Sequence, residues 1–439
     1  MPDGSRRSRR RGAALLSALG LSVAGGTAVA QPPARSGTVA FVHVTVVPMD
    51  RERVLRDQLV VVRGGRIVSV GPGTARAPGG ALVVDGRGKY LVPGLADLHV
   101  HLAYDRATNE ELLRLFLASG VTTVLNLKGN PDHLALRADV ARGAVVGPTV
   151  FTAGPYVNEP FVTTPEEVER AVVAQRRAGY DFVKMHGNLS REAYARLMRV
   201  ARREGIRVVG HSPRNLGFEA MFAERQYAVV HAEEFIYDRM GSSRDFATLE
   251  PRIPEIARAA AAARLWVMPN LTAFRNIGGQ LGNLDSMLAR PEMATMPAAI
   301  RASWGPETNP YLQRLGRRQY GPIMERYAFL ERLTRGFRDA GVRLVLGTDA
   351  LNTGTVPGTS AHDELALLVS AGLTPYEALR AATANAADFL GGADRAGVVT
   401  AGRRADLLLL DANPLERIDN TRRIAGVMVR GRWMPKEQP

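Results

Sequence analysis

The sequence predicts an α/β fold: a (β/α)8 TIM-like barrel with a small β-sandwich domain built from both termini. Three observations lead there. Between residues 93 and 397 short apolar strands alternate with helical segments, the texture of parallel βα units. Eight such strands are present, the number a closed barrel needs. The glycine-punctuated, hairpin-like text before residue 92 returns after residue 398, so one sheet domain (31–92 with 398–439) is expected around a central insertion. With 439 residues, 46% of them hydrophobic and 23% charged, the chain can bury a large core and is unlike disordered, collagen-like or coiled-coil sequences.

Residues 1–30 read as an export signal. Five arginines lie in RRSRRR, an uncharged stretch follows from Gly12, and Ala28-Val29-Ala30 forms a small-residue cleavage site before Gln31. The mature chain is therefore expected in the periplasm or secreted, by a Sec or twin-arginine route. No other segment reaches the ~18 apolar residues of a membrane helix, so no stable membrane span is expected. The terminal domain then runs through TVAFVHVTVVPM, QLVVVRGGRIVSVGP and ALVVDGRGKYLVPG. In the barrel region the strands are ADLHV, VTTVLNL, PTVFTAG, DFVKM, RVVGH, YAVVH, RLWVMP and RLVLGTD. The helices between them carry start and stop signals; SREAYARLMRVARREG opens on a Ser190 cap and ends at Gly205. Residues 272–320, rich in proline and methionine and without a clear period, read as a long loop on the catalytic rim, a lid insertion.

The net charge of +14 does not mark a nucleic-acid binder. Lysine occurs only at Lys89, Lys128, Lys184 and Lys436, no basic run recurs after residue 11, and no RNA-binding aromatic motif accompanies the arginines. The expected partner is a small-molecule substrate, with homo-oligomerisation allowed. The absence of cysteine excludes disulfides, iron–sulfur ligation, thiolate zinc sites and a cysteine nucleophile, so any metal must sit on nitrogen and oxygen.

A barrel gathers its chemistry at the C-terminal ends of its strands. His99 and His101 alternate on DLHVHL, so both imidazoles face one side, as a shared metal requires. His211 ends RVVGH, His231 ends YAVVH and Asp349 ends RLVLGTD. Each alone is an ordinary polar strand end; together they converge on one rim. Lys184 ends DFVKM, where a protonated lysine would repel a dication. That repulsion vanishes if the amine has reacted with carbon dioxide, because the carbamate is anionic and offers two oxygens that can bridge two metals. His362, on the helix beyond the last strand, reads as a structural hydrogen-bonder, and His43 and His133 lie outside the rim pattern. Neither a G-x-S-x-G elbow nor a Walker loop is present.

The segments LVPGLADLHVHL, DFVKM, GHSP, HAEEF, LGTDA and HDELALLVSAGLTPYEALRAATANAA, with GVVTAGRRADLLLLDANP, resemble the amidohydrolase superfamily over nearly the whole mature chain. The likeness is to its binuclear members related to imidazolonepropionase, prolidase-like Xaa-Pro and Xaa-Arg dipeptidases, and ochratoxin-hydrolysing amidases. It implies that His99 and His101 hold the more buried of two divalent metal ions, that His211 and His231 hold the other, that carboxylated Lys184 bridges them, and that Asp349 contacts the buried ion. Nitrogen and oxygen ligands suit zinc, with manganese, cobalt or iron as alternatives. Two ions about 3.5 to 4 Å apart lower the pKa of a bridging hydroxide's parent water toward ~7 and polarise the scissile carbonyl. Asp349 then serves as general base and general acid.

The function expected is an exported, metal-dependent hydrolase of amide bonds in small carboxylate-bearing substrates: N-acyl amino acids, dipeptides of Xaa-Pro or Xaa-Arg type, or ochratoxin-like amides. A lactonase, esterase or cyclic amidase using the same centre stays open, as does a catalytically silent ligand-binding barrel. Substrate contacts are expected from Lys128, Tyr156, His186, Arg214, Tyr237 and Arg275, since cations suit a carboxylate. Relatives often carry an arginine–aspartate pair where this chain reads LNLKG.

Overall fold

The computed structural model describes residues 37–240, 245–392 and 396–436. The expected signal segment, 1–30, lies outside them. The first and last strands hydrogen-bond into one sheet. β1 (Val39–Val46), β2 (Leu55–Arg63), β3 (Arg66–Pro72), β4 (Leu82–Asp85) and β5 (Tyr90–Pro93) come from the N-terminal side; β14 (Leu407–Leu410), β15 (Ile424–Val429) and β16 (Arg432–Pro435) come from the C-terminal side. The order is β16-β15-β14-β5-β1-β2-β3, and the antiparallel β5–β14 pair, with Leu91 opposite Leu409, stitches the two ends of the chain together. The strands expected to form a sandwich thus belong to a single hydrogen-bonded sheet. Register shifts at Phe41/Val44 and Val44/Val46 bend β1, which pairs with β4 over Val39–Val42 and with β5 over Thr45–Val46. Phe41, Val44, Val60, Leu91, Leu407 and Met428 pack as its core.

Eight parallel strands follow: β6 (Leu95–Val100), β7 (Val121–Asn126), β8 (Thr149–Thr152), β9 (Phe182–Met185), β10 (Arg207–Gly210), β11 (Ala228–Val230), β12 (Trp266–Met268) and β13 (Arg343–Leu344). They match the eight sequence segments one for one. β6–β8 form one sheet and β9–β13 another, and single parallel bridges join them at both edges, Ala153 to Phe182 and Val100 to Ala350. One core cluster draws Leu98, Leu125, Phe182, Val209, Val230, Met268 and Val345 from around this circuit.

Local signals set the helices between strands. The helix Arg191–Glu204 begins with the Ser190 hydroxyl accepting from Ala193 N and stops at Gly205, whose φ of 65° is the left-handed conformation that glycine adopts without steric cost. It buries Ala193, Tyr194, Leu197, Met198 and Ala201, one face at helical spacing. The helix Pro165–Ala178 has a Thr164/Glu167 capping box and stops at Gly179.

The segment expected as a loop at 272–320 is largely helical. It comprises the helices Leu271–Leu288, Ala298–Ser303 and Pro310–Leu315 with a 3-10 turn at Pro291–Thr295. Glycines disguised the first of these. A Cβ at Gly278 would lie 2.3 Å from Met324 Sδ on the helix Tyr320–Asp339, so the helix-breaking residue marks where two helices approach closely.

Candidate metal centre

The six residues expected as ligands lie on strands of the circuit or just beyond them, and all six line one cavity of about 770 Å3. Backbone geometry places them. β6 carries His99, buried, and His101 follows one residue past its end. His231 and Asp349 have positive φ, 70° and 62°, a conformation costing about 1–3 kcal/mol outside glycine and typical of constrained sites. Two glycines make room. A Cβ at Gly210, immediately before His211, would sit 1.9 Å from the Met185 carbonyl oxygen, and one at Gly347 would sit 2.7 Å from His99 Cβ.

Asp349 Oδ1 is 2.9 Å from His101 Nε2 and 3.2 Å from His99 Nε2, and its Oδ2 is 3.9 Å from His231 Nε2. Donor atoms of His99, His101 and Asp349 all lie within 4.8 Å of one another, the compass of a single cation. The rings of His99 and His231 are 4.9 Å apart and those of His211 and His231 are 5.3 Å apart, which extends the cluster into a second group of nitrogen donors.

Electrostatics leave these donors in ligating form. Burial drives the His99 and His211 imidazoles well below their ordinary pKa, and drives His231 down to about 3, so their lone pairs are free at neutral pH. Burial pushes the Asp349 carboxyl up, but His99 and the hydrogen bond from His101 outweigh it and hold the group well below the usual carboxylate range. Lys184 on β9 is fully buried, its Nζ has no hydrogen-bond partner, and burial lowers it to about 7 against the pull of Asp349 and Glu234. A partnerless buried amine is costly. With its pKa brought near neutrality, a substantial share of it is the free amine at neutral pH, the state that reacts with carbon dioxide. Four imidazoles and one carboxylate, beside a lysine whose free amine can be carboxylated, make a donor set that fits divalent cations.

Further residues hold this set, and sequence reasoning gave them no role. Buried Asp97 accepts from Thr348 N at 3.0 Å, Thr348 Oγ1 at 2.6 Å and His99 N at 3.3 Å, tying β6 to the segment that carries Asp349. Glu234 lies 3.1 Å from His211 Nδ1 and accepts from Ser212 Oγ and from Arg214 Nε, both at 3.0 Å. Asn352 donates to Asp349 Oδ2. Asp97 sits two residues before the histidine pair and Glu234 lies within HAEEF, but nothing in the text showed where their side chains turn.

Of the expected substrate contacts, Lys128, Tyr156, His186, Arg214 and Tyr237 line the cavity. Tyr156 stacks on His186 with centroids 4.3 Å apart and planes 5° from parallel, and His186 in turn lies 4.3 Å from the His211 ring. Lys128 Nζ sits 5.6 Å from the ring centroids of both Tyr104 and Tyr156. The Arg214 charge is already committed to Glu234. Arg275 is a correction: it is exposed and does not line the cavity, because its helix turns Phe274 and Ile277 inward instead. Arg314, Arg326, Tyr311 and Glu233 line it without having been expected. His362 is structural as read, with Nδ1 2.9 Å from Thr421 Oγ1 and Nε2 2.9 Å from the Ser119 carbonyl.

Comparison with known proteins agrees with this geometry. Residues 90–434 match the model of the amidohydrolase family. The imidazolonepropionase of Rubrobacter xylanophilus is 28% identical over 389 residues, covering 80% of this chain and 84% of that protein. Among solved structures, a Xaa-Pro dipeptidase with bound methionine superposes with a TM-score of 0.70 at 18% identity, over 91% of this chain and all of that one. A bottromycin amidohydrolase gives 0.70 at 25% identity, over 91% and 87%. The chain belongs to the amidohydrolase family of hydrolases that act on carbon–nitrogen bonds.

Proposed function

We propose that this is an exported hydrolase, dependent on two divalent metal ions, that cleaves an amide bond next to a carboxylate in a small substrate such as an N-acyl amino acid or a dipeptide. In this reading the eight strands close into a barrel, and residues 31–92 and 398–439 form a satellite domain. The observation that carries the proposal is Lys184: a fully buried, unpartnered amine among four imidazoles and a carboxylate has no evident structural purpose. Carboxylated, it would add an anionic oxygen donor to those of His99, His101, His211 and His231, the residues that would hold the ions. When bound, the ions, zinc by preference, activate a water molecule and polarise the amide carbonyl. Asp349, whose carboxylate stays ionised, takes the proton from the attacking water and passes it to the leaving nitrogen.

Substrate orientation falls to the cavity wall. Arg214 is neutralised by Glu234, and Arg326 Nη1 is 3.9 Å from Glu233 and 3.3 Å from Tyr237 Oη. Lys128 and Arg314 have aromatic rings but no ion pair among the described residues; Lys128, over the Tyr156 ring that stacks on His186 beside His211, is the cation we assign to the substrate carboxylate. Dipeptides and N-acyl amino acids should therefore lose about 10-fold or more in kcat/KM when amidated or methyl-esterified at the C terminus, the size of a hydrogen bond to a charged group. Lys128→Ala should reproduce most of that loss on free substrates and change the capped ones little. Equal rates for free and capped compounds would remove the carboxylate from the reading. The likeness to an imidazolonepropionase favours a second reading, ring opening of a cyclic amide at the same centre.

A further inference from the structure

The geometry points to Asn270 and Glu364 as a positioning pair that sets the tautomer of His99 and couples the two groups of imidazoles, an inference that rests on the metal reading above. Asn270 follows β12, is fully buried, and adopts φ 55° and ψ 43°. Its Oδ1 lies 3.1 Å from His231 N and 3.4 Å from His99 Nδ1. A main-chain N–H can only donate, so the Asn270 atom facing His231 is the carboxamide oxygen. That same oxygen faces His99 Nδ1, which must therefore carry the ring hydrogen. The His99 Nε2 lone pair is then left pointing at Asp349, where a cation would sit. One oxygen thus serves a histidine from each half of the centre.

Glu364 explains why Asn270 stays in place. Its fully buried carboxylate accepts from Leu271 N at 3.0 Å and Thr272 N at 2.7 Å, the first two residues of the helix Leu271–Leu288. A carboxyl group accepting from those otherwise free N–H groups pins the start of the helix. Asn270 is held in its left-handed turn between the end of β12 and this anchored helix. Asparagine tolerates that conformation better than other side-chain-bearing residues. Because Glu364 touches neither the cavity nor a ligand, its effect on the centre passes through the backbone of Leu271 and Thr272.

The test uses the full-length enzyme, with zinc affinity measured by chelator competition and histidine tautomers by imidazole 15N shifts of metal-free protein. Asn270→Ala should weaken zinc binding roughly 10- to 100-fold, the usual cost of losing a partner of a ligating histidine, and move His99 from the Nδ1–H form to a mixture. Asn270→Asp, which keeps the acceptor, should restore the Nδ1–H form. Glu364→Gln should shift both readouts in the same direction, and the double variant Asn270→Ala/Glu364→Gln should be no worse than Asn270→Ala alone. Should Glu364→Gln fold poorly, Glu364→Asp is measured in its place. An unchanged His99 tautomer in Asn270→Ala, or fully additive losses in the double variant, overturns the pairing. Wild-type protein that binds no zinc but shows the His99 shift in Asn270→Ala would keep the positioning role and reject the metal reading.

Discussion

At the scale of single residues, Asp349 and Lys184 carry the proposed chemistry for different reasons. Asp349 is an ionised carboxylate set among imidazoles, placed to accept a proton without losing its position. Asp349→Asn keeps an oxygen donor and removes the acceptor, so turnover should fall by roughly 10² to 10⁴ while metal content falls far less. Unchanged turnover would take this residue out of the mechanism. In the proposed mechanism Lys184 acts only once carboxylated. Lys184→Ala should lose roughly 10²-fold or more in activity, the several kcal/mol of charge stabilisation that depends on the bridge, with partial rescue by a short carboxylic acid. Lys184→Arg is the sharper control, since it keeps the charge and cannot form this carbamate; wild-type rate and metal content in that variant would rule out the carboxylated lysine.

At the scale of elements, what was legible in the sequence depended on range. The eight parallel strands and the strand-end histidines could be read because a short apolar run and a polar residue at its C-terminal end are local features. The 271–288 helix could not, because Gly278 answers to Met324 on another helix and not to its own neighbours. Arg275 was misplaced for the same reason: without the helix, nothing said that Phe274 and Ile277 would face the cavity. Glu234 and Asp97 were visible as letters, but their roles depend on Arg214, His211 and Thr348, contacts that only the folded chain makes. Gly210 shows a tight element from the other side. With φ of 137° and Met185 O 1.9 Å from any added Cβ, Gly210→Ala should displace β10 from β9, destabilise the protein by ~2 kcal/mol or more, and shift His211. Thermal unfolding of Gly210→Ala checks this, and a melting temperature equal to wild type would contradict the packing described.

At the scale of the whole molecule, the fold brings residues from 99 to 349 to one rim and closes the chain on itself through β5 and β14. The helices inserted between β12 and β13 add Phe274, Ile277, Tyr311 and Arg314 to the cavity wall, so that wall is built from more than the strand ends. The central claim is that this rim holds two divalent ions bridged through Lys184. Elemental analysis of purified mature protein, with catalytic rate followed as zinc or manganese is restored to chelator-stripped enzyme, tests it most directly. The account predicts close to two ions per chain and activity that rises until both are bound; full activity at one ion per chain, not raised by further metal, would contradict it.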